Sequence, residues 1–448
     1  MKKICVLGLG YIGLPTASMF AARGYQVVGV DIRASVVEIL NNGDVHIQEP
    51  GLKTFVQAAL RSGNLSVRGQ PEPADVFIMA VPTPLISDGE SPGGSGAQQG
   101  IMRAELSFIR AASESIVPHL AAGNLVILES TSPPGTTEQV VVPILERSGL
   151  RAGQDIFIAH CPERVLPGRI LEELVRNDRI IGGVNRASAE MAKALYASIV
   201  EGQIFVTDAT TAEMVKLMEN AYRDVNIALA NEFALVAEQT GIDVWEAIEL
   251  ANRHPRVNIL KPGPGVGGHC IAVDPWFIAQ AAPGVTPLIQ MARRVNDGMP
   301  AYVVEMVHSA VEGIEHPVIA CLGLAYKADV DDTRDSPAIK VVELLQAKGF
   351  EVRAYDPYVE VGRVPGQVGS IDSALKGADC VVLLTDHAEF RQLSFDQISR
   401  LRGLDGSWSV VDTRKVLTGK GGQRTENGRL LGRGRRRVEP QLTGSAER

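Results

Sequence analysis

"ICVLGLGYIGLPTASMFAARGYQVVGVD", residues 4 to 31, contains an apolar run, a glycine-punctuated turn, a helix-length stretch and a second apolar run closed by an acid. Strand, turn, helix, strand is the opening of a doubly wound parallel α/β sheet. Gly8, Gly10 and Gly13 stand in GxGxxG spacing directly after the first strand. In such a unit the first glycine allows the tight turn, the second lets backbone approach a pyrophosphate, and the third lets helix and strand pack closely. Asp31 closes the second strand, where a carboxylate accepts both ribose hydroxyls and repels a 2′-phosphate. The pattern predicts a dinucleotide site for NAD, with Arg33 two residues on pulling toward NADP.

Two later runs, "ADVFIMAVPTP" (74 to 84) and "NLVILESTSPPGTT" (124 to 137), read as further parallel strands ending in polar loops. Ligands of open α/β sheets bind outside those carboxyl ends. Thr83, Ser130 and Thr131 are therefore placed to line the cofactor crevice, or to serve simply as turn residues. Near residue 318 the pattern starts again: "VIACLGLAYKADVDDTRDSPAIKVVELLQAKGFEVRAYDP" places Asp356 where the first copy has Asp31. The glycine fingerprint is missing there, and a longer charged loop with Lys327 and Arg334 replaces it. One half is expected to hold the cofactor and the other a different anionic ligand.

Between the halves, "TTAEMVKLMENAYRDVNIALANEFALVAEQTG" (210 to 241) is rich in helix formers and ends on a glycine suited to a helix C-terminus. Met214, Leu217, Met218, Ala221, Val225, Ala228 and Leu229 surround most of the cylinder, which predicts a buried helix. Lys216, Asn220 and Arg223 share one face. They form either an internal salt-bridge stripe or a surface turned toward ligand.

The 448 residues are 45% hydrophobic and 21% charged, enough for two or three cored domains, and the net charge of −8 gives no general attraction to nucleic acid or anionic membrane. No apolar run approaches the roughly 20 residues of a membrane helix. The start leads straight into the glycine turn, unlike a signal peptide, so a cytoplasmic protein is expected. Five cysteines are too few and too scattered for a disulfide framework. Cys5, Cys321 and Cys380 lie in β-like runs as small hydrophobes, and His160–Cys161 and His269–Cys270 lack the spacing that would complete a metal site. No metal is expected. From about residue 418 the chain turns glycine- and arginine-rich, which reads as a mobile basic tail.

Chemistry enters at "PGPGVGGHCIAVDP" (262 to 275), where Cys270 ends a run of irregular backbone. Oxidising a primary alcohol by one hydride gives an aldehyde, which yields a second hydride only after something has added to its carbon. A thiolate adds well, and the thiohemiacetal is then oxidised to a thioester and hydrolysed. Glycines bring amides and substrate close to such a thiol. Lys216 would then move protons or stabilise the oxyanion with help from Asn220, Glu163 in "HCPERVLPG" could activate water, and Asp274 could orient water or lysine. Arg253, His254 and Arg256 in "NRHPRVN", with Arg164 beside Glu163, suit a diphosphate, or are ordinary surface residues.

These segments resemble the UDP-glucose/GDP-mannose dehydrogenase family over essentially the whole chain up to the tail. "GLGYIGLP", "AVPTP", "ESTSPPGTT", "CPERVLPG", "AEMVKLMENAYRDVNIALANE", "GPGVGGHCIAVDP" and "LAYKADVDDTRDSP" occur in the family's order. The resemblance implies two Rossmann-like parallel-sheet domains joined by a long central helix: an NAD-binding domain over 1–200, a central helical domain over 201–305, a UDP-sugar-binding domain over 306–418 and a tail over 419–448. It implies Cys270 as covalent nucleophile and Lys216 as proton donor and acceptor. NAD contacts are expected from Tyr11, Ile12, Asp31, Thr83 and Thr131, with Arg334 reaching in from the far domain. Substrate contacts are expected from Arg164, Val165, Asn220 and Arg223, from His254, Arg256 and Gly267, and from Tyr326 and Lys327, some of them across a homodimer or higher homo-oligomer built on the central helix.

The expected reaction is a four-electron oxidation of a UDP-sugar at C6, UDP-N-acetyl-D-mannosamine first, with UDP-N-acetylglucosamine or UDP-glucose as alternatives. A single-step hydroxyacid dehydrogenase, in which Cys270 is incidental, is the rival outside the family. The sequence departs from the family where "RAELSFI" follows an enlarged glycine loop over 85–100, and in the arginine-rich end.

Overall fold

In the computed structural model, which describes residues 2–86, 102–403, 408–417 and 428–430, the opening apolar run is β1 (Lys3–Leu7) inside an eight-stranded sheet. Ile4 to Leu7 are all buried, because helices cover both faces of a parallel sheet and its central strands read as unbroken apolar runs. The chain continues through α1 (Gly13–Ala22), β2 (Gln26–Val30), α2 (Ala34–Asn41), α3 (Leu52–Arg61), β3 (Leu65–Arg68) and β4 (Val76–Met79). A short antiparallel pair, β5 (Leu85–Ile86) and β6 (Arg103–Ala104), flanks the glycine-rich loop. Residues 87–101 of that loop, and the basic tail apart from 428–430, lie outside the described residues. Then come α4 (Ser107–Ile116), β7 (Leu125–Leu128), α5 (Val142–Leu145), β8 (Phe157–His160), α6 (Ile170–Arg176), β9 (Arg179–Gly183), α7 (Arg186–Tyr196) and β10 (Ile204–Asp208).

The strand order is β10-β9-β8-β7-β4-β1-β2-β3, parallel throughout except where β8 meets β9. The chain reverses direction across the sheet at β1, so the carboxyl ends of β1 and β4 flank a topological switch point. Ile4, Val6 and Phe20 belong to the core on one face, and Cys5, Leu7 and Phe77 to the core on the other.

The central helix α8 (Ala209–Thr240) ends at Gly241, whose φ of +80° only glycine adopts without strain. Its burial differs from the all-round burial expected from the apolar positions around its cylinder. Leu217, Ala221 and Ala228 are buried, but Met218 is 56% exposed and Leu229 42%. Met218, Tyr222, Leu229, Phe233 and Val236 are all exposed, and at about 100° per residue they fall within about 60° of one another around the helix. Apolar periodicity marks a face that is to be covered without saying by what.

After α8 follow α9 (Val244–Ala251), α10 (Asp274–Ala281) and α11 (Pro287–Ala310), then the second sheet: β11 (Val318–Leu322), α12 (Pro337–Ala347), β12 (Glu351–Tyr355), α13 (Ile371–Leu375), β13 (Cys380–Leu383), α14 (Phe395–Arg402), β14 (Ser409–Asp412) and β15 (Gly428–Leu430). Its order is β12-β11-β13-β14-β15, all parallel. Ser336 caps α12 with Pro337 in its first turn, and Ser394 and Gln397 form a reciprocal capping box on α14. Among the described residues the chain divides into two compact units, Met1–Asn220 with Val273–Thr286, and Ala221–Ala272 with Pro287–Arg448. No described helix is long and apolar enough to cross a membrane.

Candidate active site

In the first unit the three fingerprint glycines have different reasons to be glycine. A Cβ on Gly8, at φ +88°, would lie 2.4 Å from the Ala80 carbonyl oxygen, and one on Gly13 would lie 1.8 Å from the oxygen of Gly8. The protein's own backbone therefore excludes a side chain at both. At Gly10 a Cβ would meet nothing within 4 Å. The open space above Gly10, at the amide end of α1, is what a pyrophosphate requires. Asp31 Oδ2 accepts from Leu9 N at 3.1 Å and Oδ1 from Arg33 N at 3.0 Å. Burial pushes the Asp31 carboxyl up, but hydrogen bonds from Arg33 and Leu9 outweigh it and hold the group below the usual carboxylate range. An anionic acceptor at the end of β2 fits a ribose. The Arg33 guanidinium, 3.3 Å from Asp31 Oδ1, supports that carboxylate.

Thr83 Oγ1 donates to the Thr131 carbonyl at 2.7 Å, tying together the loops after β4 and β7. Ser130 Oγ accepts from Val81 N at 2.9 Å, so this serine is committed to the sheet ends. Ile12 stands at the N-cap of α1, and Tyr11 packs against the core beneath.

The same unit gathers three of the residues expected to be catalytic. Asn220 Nδ2 donates to Asp274 Oδ2 at 2.6 Å, and Lys216, one turn earlier on α8, is near enough for its charge to act on that carboxyl. All three are buried. Burial pushes Asp274 up to about 6, with Lys216 and Asn220 limiting the rise. The start of α8 is anchored by Glu213, which accepts from Gly135 N at 2.5 Å, Thr137 N at 2.8 Å and Thr137 Oγ1 at 2.6 Å. This carboxylate caps the turn after "SPPG" from another part of the chain, and it places Lys216 three residues on. Glu163, beyond the end of β8, accepts from Arg164 N at 2.7 Å and lies 3.0 Å from the buried Arg179.

In the second unit the thiol loop is packed onto the 326–337 segment. Gly268 N donates to the Arg334 carbonyl at 3.0 Å. A Cβ on Gly267 would meet the Asp335 carbonyl oxygen at 2.5 Å, and one on Gly268, at φ +84°, the Tyr326 ring at 2.8 Å. The glycines before Cys270 are thus needed for close packing of backbone on the neighbouring loop. The loop's start is fixed from below: Asn231 Oδ1 on α8 accepts from Gly263 N at 2.9 Å, its Nδ2 donates to Asn296, and Asn296 donates to Asp224, which pairs with Arg293 at 2.5 Å. Cys270 is exposed while the other four cysteines are buried, and burial pushes Cys5 up to about 11 and Cys161 up to about 12. Those two thiols are inert at neutral pH.

The basic residues divide. Arg223, His254 and Arg256 are exposed, and Tyr326 and Lys327 half-buried. Arg164 is engaged by protein: Nε and Nη2 contact Glu219 at 3.0 and 2.5 Å, and Nη1 donates to the Asp178 carbonyl. Its neighbour Val165 packs against the first core. Arg334 forms a two-pronged pair with Asp332. Asp356, the counterpart of Asp31, takes Leu324 N, Ala325 N and His387 Nε2 on one oxygen and Tyr358 N and Val359 N on the other. Engaged in this way by five donors, it anchors loops. Glu129, Arg179, Tyr196 and Glu213 were not singled out in the sequence; a charged residue inside an apolar strand, as in "RIIGG", is the one local signal for such a network.

Three family models match the chain: the UDP-glucose/GDP-mannose dehydrogenase family NAD binding domain over residues 2–200, its central domain over 210–298 and its UDP binding domain over 320–419. The chain belongs to the UDP-glucose/GDP-mannose dehydrogenase family, and its cofactor is NAD. It is 49% identical over 419 residues to UDP-N-acetyl-D-mannosamine dehydrogenase of Methanococcus maripaludis, covering 93% of each chain. It is 48% identical over 432 residues to NDP-N-acetyl-D-galactosaminuronic acid dehydrogenase of Ralstonia nicotianae, covering 94% of this chain and 97% of the other. The solved structure of UDP-D-ManNAc dehydrogenase from Pyrococcus horikoshii matches with TM-score 0.88 at 46% identity, covering 96% of this chain and 99% of that one.

Proposed function

We propose that this enzyme oxidises UDP-N-acetyl-D-mannosamine at C6 to the uronate in two NAD-dependent steps, in the cytoplasm, as a supplier of precursors for surface polysaccharide. The observation that carries the reading is the buried Lys216–Asn220–Asp274 group on α8 and α10, whose Asp274 follows the exposed Cys270 by four residues in the chain. NAD would supply the hydride acceptor, and Gly10, Asp31, Tyr11, Ile12, Thr83, Thr131 and Arg334 would hold it.

Lys216 takes the hydroxyl proton as the alcohol is oxidised and stabilises the oxyanion that forms when Cys270 Sγ adds to the aldehyde carbon. Asn220 spends one amide hydrogen on Asp274 and has the other for the same oxyanion. Asp274 balances the lysine's charge. After the second oxidation the acyl group is a thioester on Cys270, and Glu163 takes the proton of the water that hydrolyses it. Arg164, Val165, Arg223, His254, Arg256, Gly267, Tyr326 and Lys327 are proposed to hold the UDP-sugar. The exposed stripe Met218–Tyr222–Leu229–Phe233–Val236 supports a homodimer along α8.

The relative at 48% identity that acts on an N-acetylgalactosaminuronic acid nucleotide supports a second reading, in which the sugar is an epimer. Purified enzyme supplied with NAD and, separately, UDP-N-acetylmannosamine, UDP-N-acetylgalactosamine, UDP-N-acetylglucosamine and UDP-glucose decides between them. The highest kcat/KM is expected for the first; NADH from another sugar alone would reassign the substrate.

A further inference from the structure

Arg179 occupies the first position of β9, in "RIIGG", and is 5% exposed where an aliphatic side chain would ordinarily stand. Four side chains face its guanidinium. Glu163 Oε2 is 3.0 Å from Nη2, Glu129 Oε1 is 3.9 Å from Nη1, Cys161 Sγ is 3.7 Å from Nη1, and the Tyr196 ring centroid is 4.9 Å from the guanidinium carbon. Tyr196 Oη donates in turn to Glu129 Oε1 at 2.5 Å. The groups come from the ends of β7 and β8, from β9 and from α7, so the cluster is fixed by the sheet itself. The desolvation cost of a buried cation and its carboxylates can exceed the Coulombic return and is repaid only where the geometry is good.

The geometry at Glu163 indicates a task. A general base must be ionised and must keep a lone pair uncommitted. Glu163 Oε1 is taken by Arg164 N. Oε2 lies within ion-pair distance of Arg179 but is out of hydrogen-bond alignment with it, and it is a buried oxygen with no hydrogen-bond partner. The cation therefore balances the charge without occupying the lone pair. We infer that Arg179 is the positioning residue of the hydrolytic half-reaction: its guanidinium pairs with the buried Glu163 carboxyl and fixes it in place, with Oε2 available for the proton of the attacking water. The inference rests on the reading of Glu163 as hydrolytic base. Glu129 competes weakly for the same cation. Burial pushes its carboxyl up to about 7, with Arg179 pulling down and the charge of Glu163 pushing up, and Tyr196 holds its nearer oxygen.

In the step concerned an O–H bond of water breaks, a C–O bond forms at the acyl carbon, and the C–S bond breaks with its electron pair passing to Sγ of Cys270. The proton held by Glu163 then goes to that thiolate, and nothing is oxidised or reduced. Losing the guanidinium should slow this step alone. Arg179→Met combined with Glu129→Gln, which removes one charge of each sign, and Arg179→Lys are compared with the parent enzyme by stopped-flow NADH absorbance and intact-chain mass spectrometry.

The double variant is expected to release two NADH per site in its first turnover at a rate within a few-fold of the parent. Its steady-state turnover is expected to fall by roughly ten- to a hundredfold, while an adduct of substrate mass less four hydrogens accumulates on Cys270. Arg179→Lys is expected to recover part of the turnover with less adduct. A folded double variant with parental turnover and no adduct, or one in which both NADH phases slow as much as turnover, overturns the inference. Should the double variant not fold, Arg179→Lys decides: adduct supports the inference and its absence overturns it. Glu163→Gln separates the two readings. If it traps the adduct and the Arg179 variants do not, only the inference fails; if it clears the thioester normally, the role given to Glu163 fails as well.

Discussion

Asn220 Nδ2 donates to Asp274 Oδ2 at 2.6 Å with both side chains buried, a bond that joins the central helix to the first residue of α10. Burial raises the Asp274 carboxyl to about 6, and the nearby lysine does not bring it back to its ordinary range. A carboxyl raised in the folded state stabilises the fold fully below the unfolded value, near pH 4, and that contribution is lost as pH rises through about 6. The difference corresponds to on the order of 3 kcal/mol. Asp274→Asn is therefore expected to melt at higher temperature than the parent at pH 7.5, with the gap closing toward pH 4, and to lose most activity. Thermal melts across that range check it; a variant less stable at pH 7.5 contradicts it.

The glycines after β1 make a contrast. Gly13→Ala drives a methyl group into the carbonyl of Gly8 and is expected to destabilise the enzyme by several kcal/mol or prevent folding. Gly10→Ala meets no protein atom, so its melting temperature should stay close to the parent's while NAD affinity falls. Melting curves and NAD titration by fluorescence read both effects.

How much of this was legible in the sequence depends on the range of each interaction. GxGxxG after an apolar strand, the stop at Gly241 and Asp31 are local patterns and stand where the reading puts them. Arg164 is paired with Glu219 from a helix more than fifty residues away in the chain, and nothing near "PERV" announces that partner. The Arg179 cluster draws on four separate elements, which no spacing rule connects. On α8 the apolar periodicity was plain, but a helix face covered by core and one covered by a second chain have the same sequence.

Asn231 holds the amide of Gly263 at the start of the thiol loop. Asn231→Ala leaves that amide and the Asn296 side chain without their buried partner, a loss of about 1 to 3 kcal/mol. Hydrogen exchange at 262–268 should accelerate more than in the sheets, and turnover should fall more than NAD affinity. Unchanged exchange in that loop would show that the asparagine does not anchor it.

The apolar stripe on α8 is expected to be a subunit interface. Tyr222→Lys with Phe233→Lys, both on exposed positions, should shift the enzyme from dimer to monomer by light scattering while leaving its melting profile cooperative. A parent enzyme that is monomeric at micromolar concentration contradicts the expectation.

The direct measure of the mechanism is the number of NADH formed for each UDP-N-acetylmannosamine consumed, in the parent enzyme and in Cys270→Ser. Two per sugar with uronate as product, and no uronate from the serine variant, are expected. One NADH per sugar, or a serine variant that still forms two at the parental rate, would remove the thiol from the reaction.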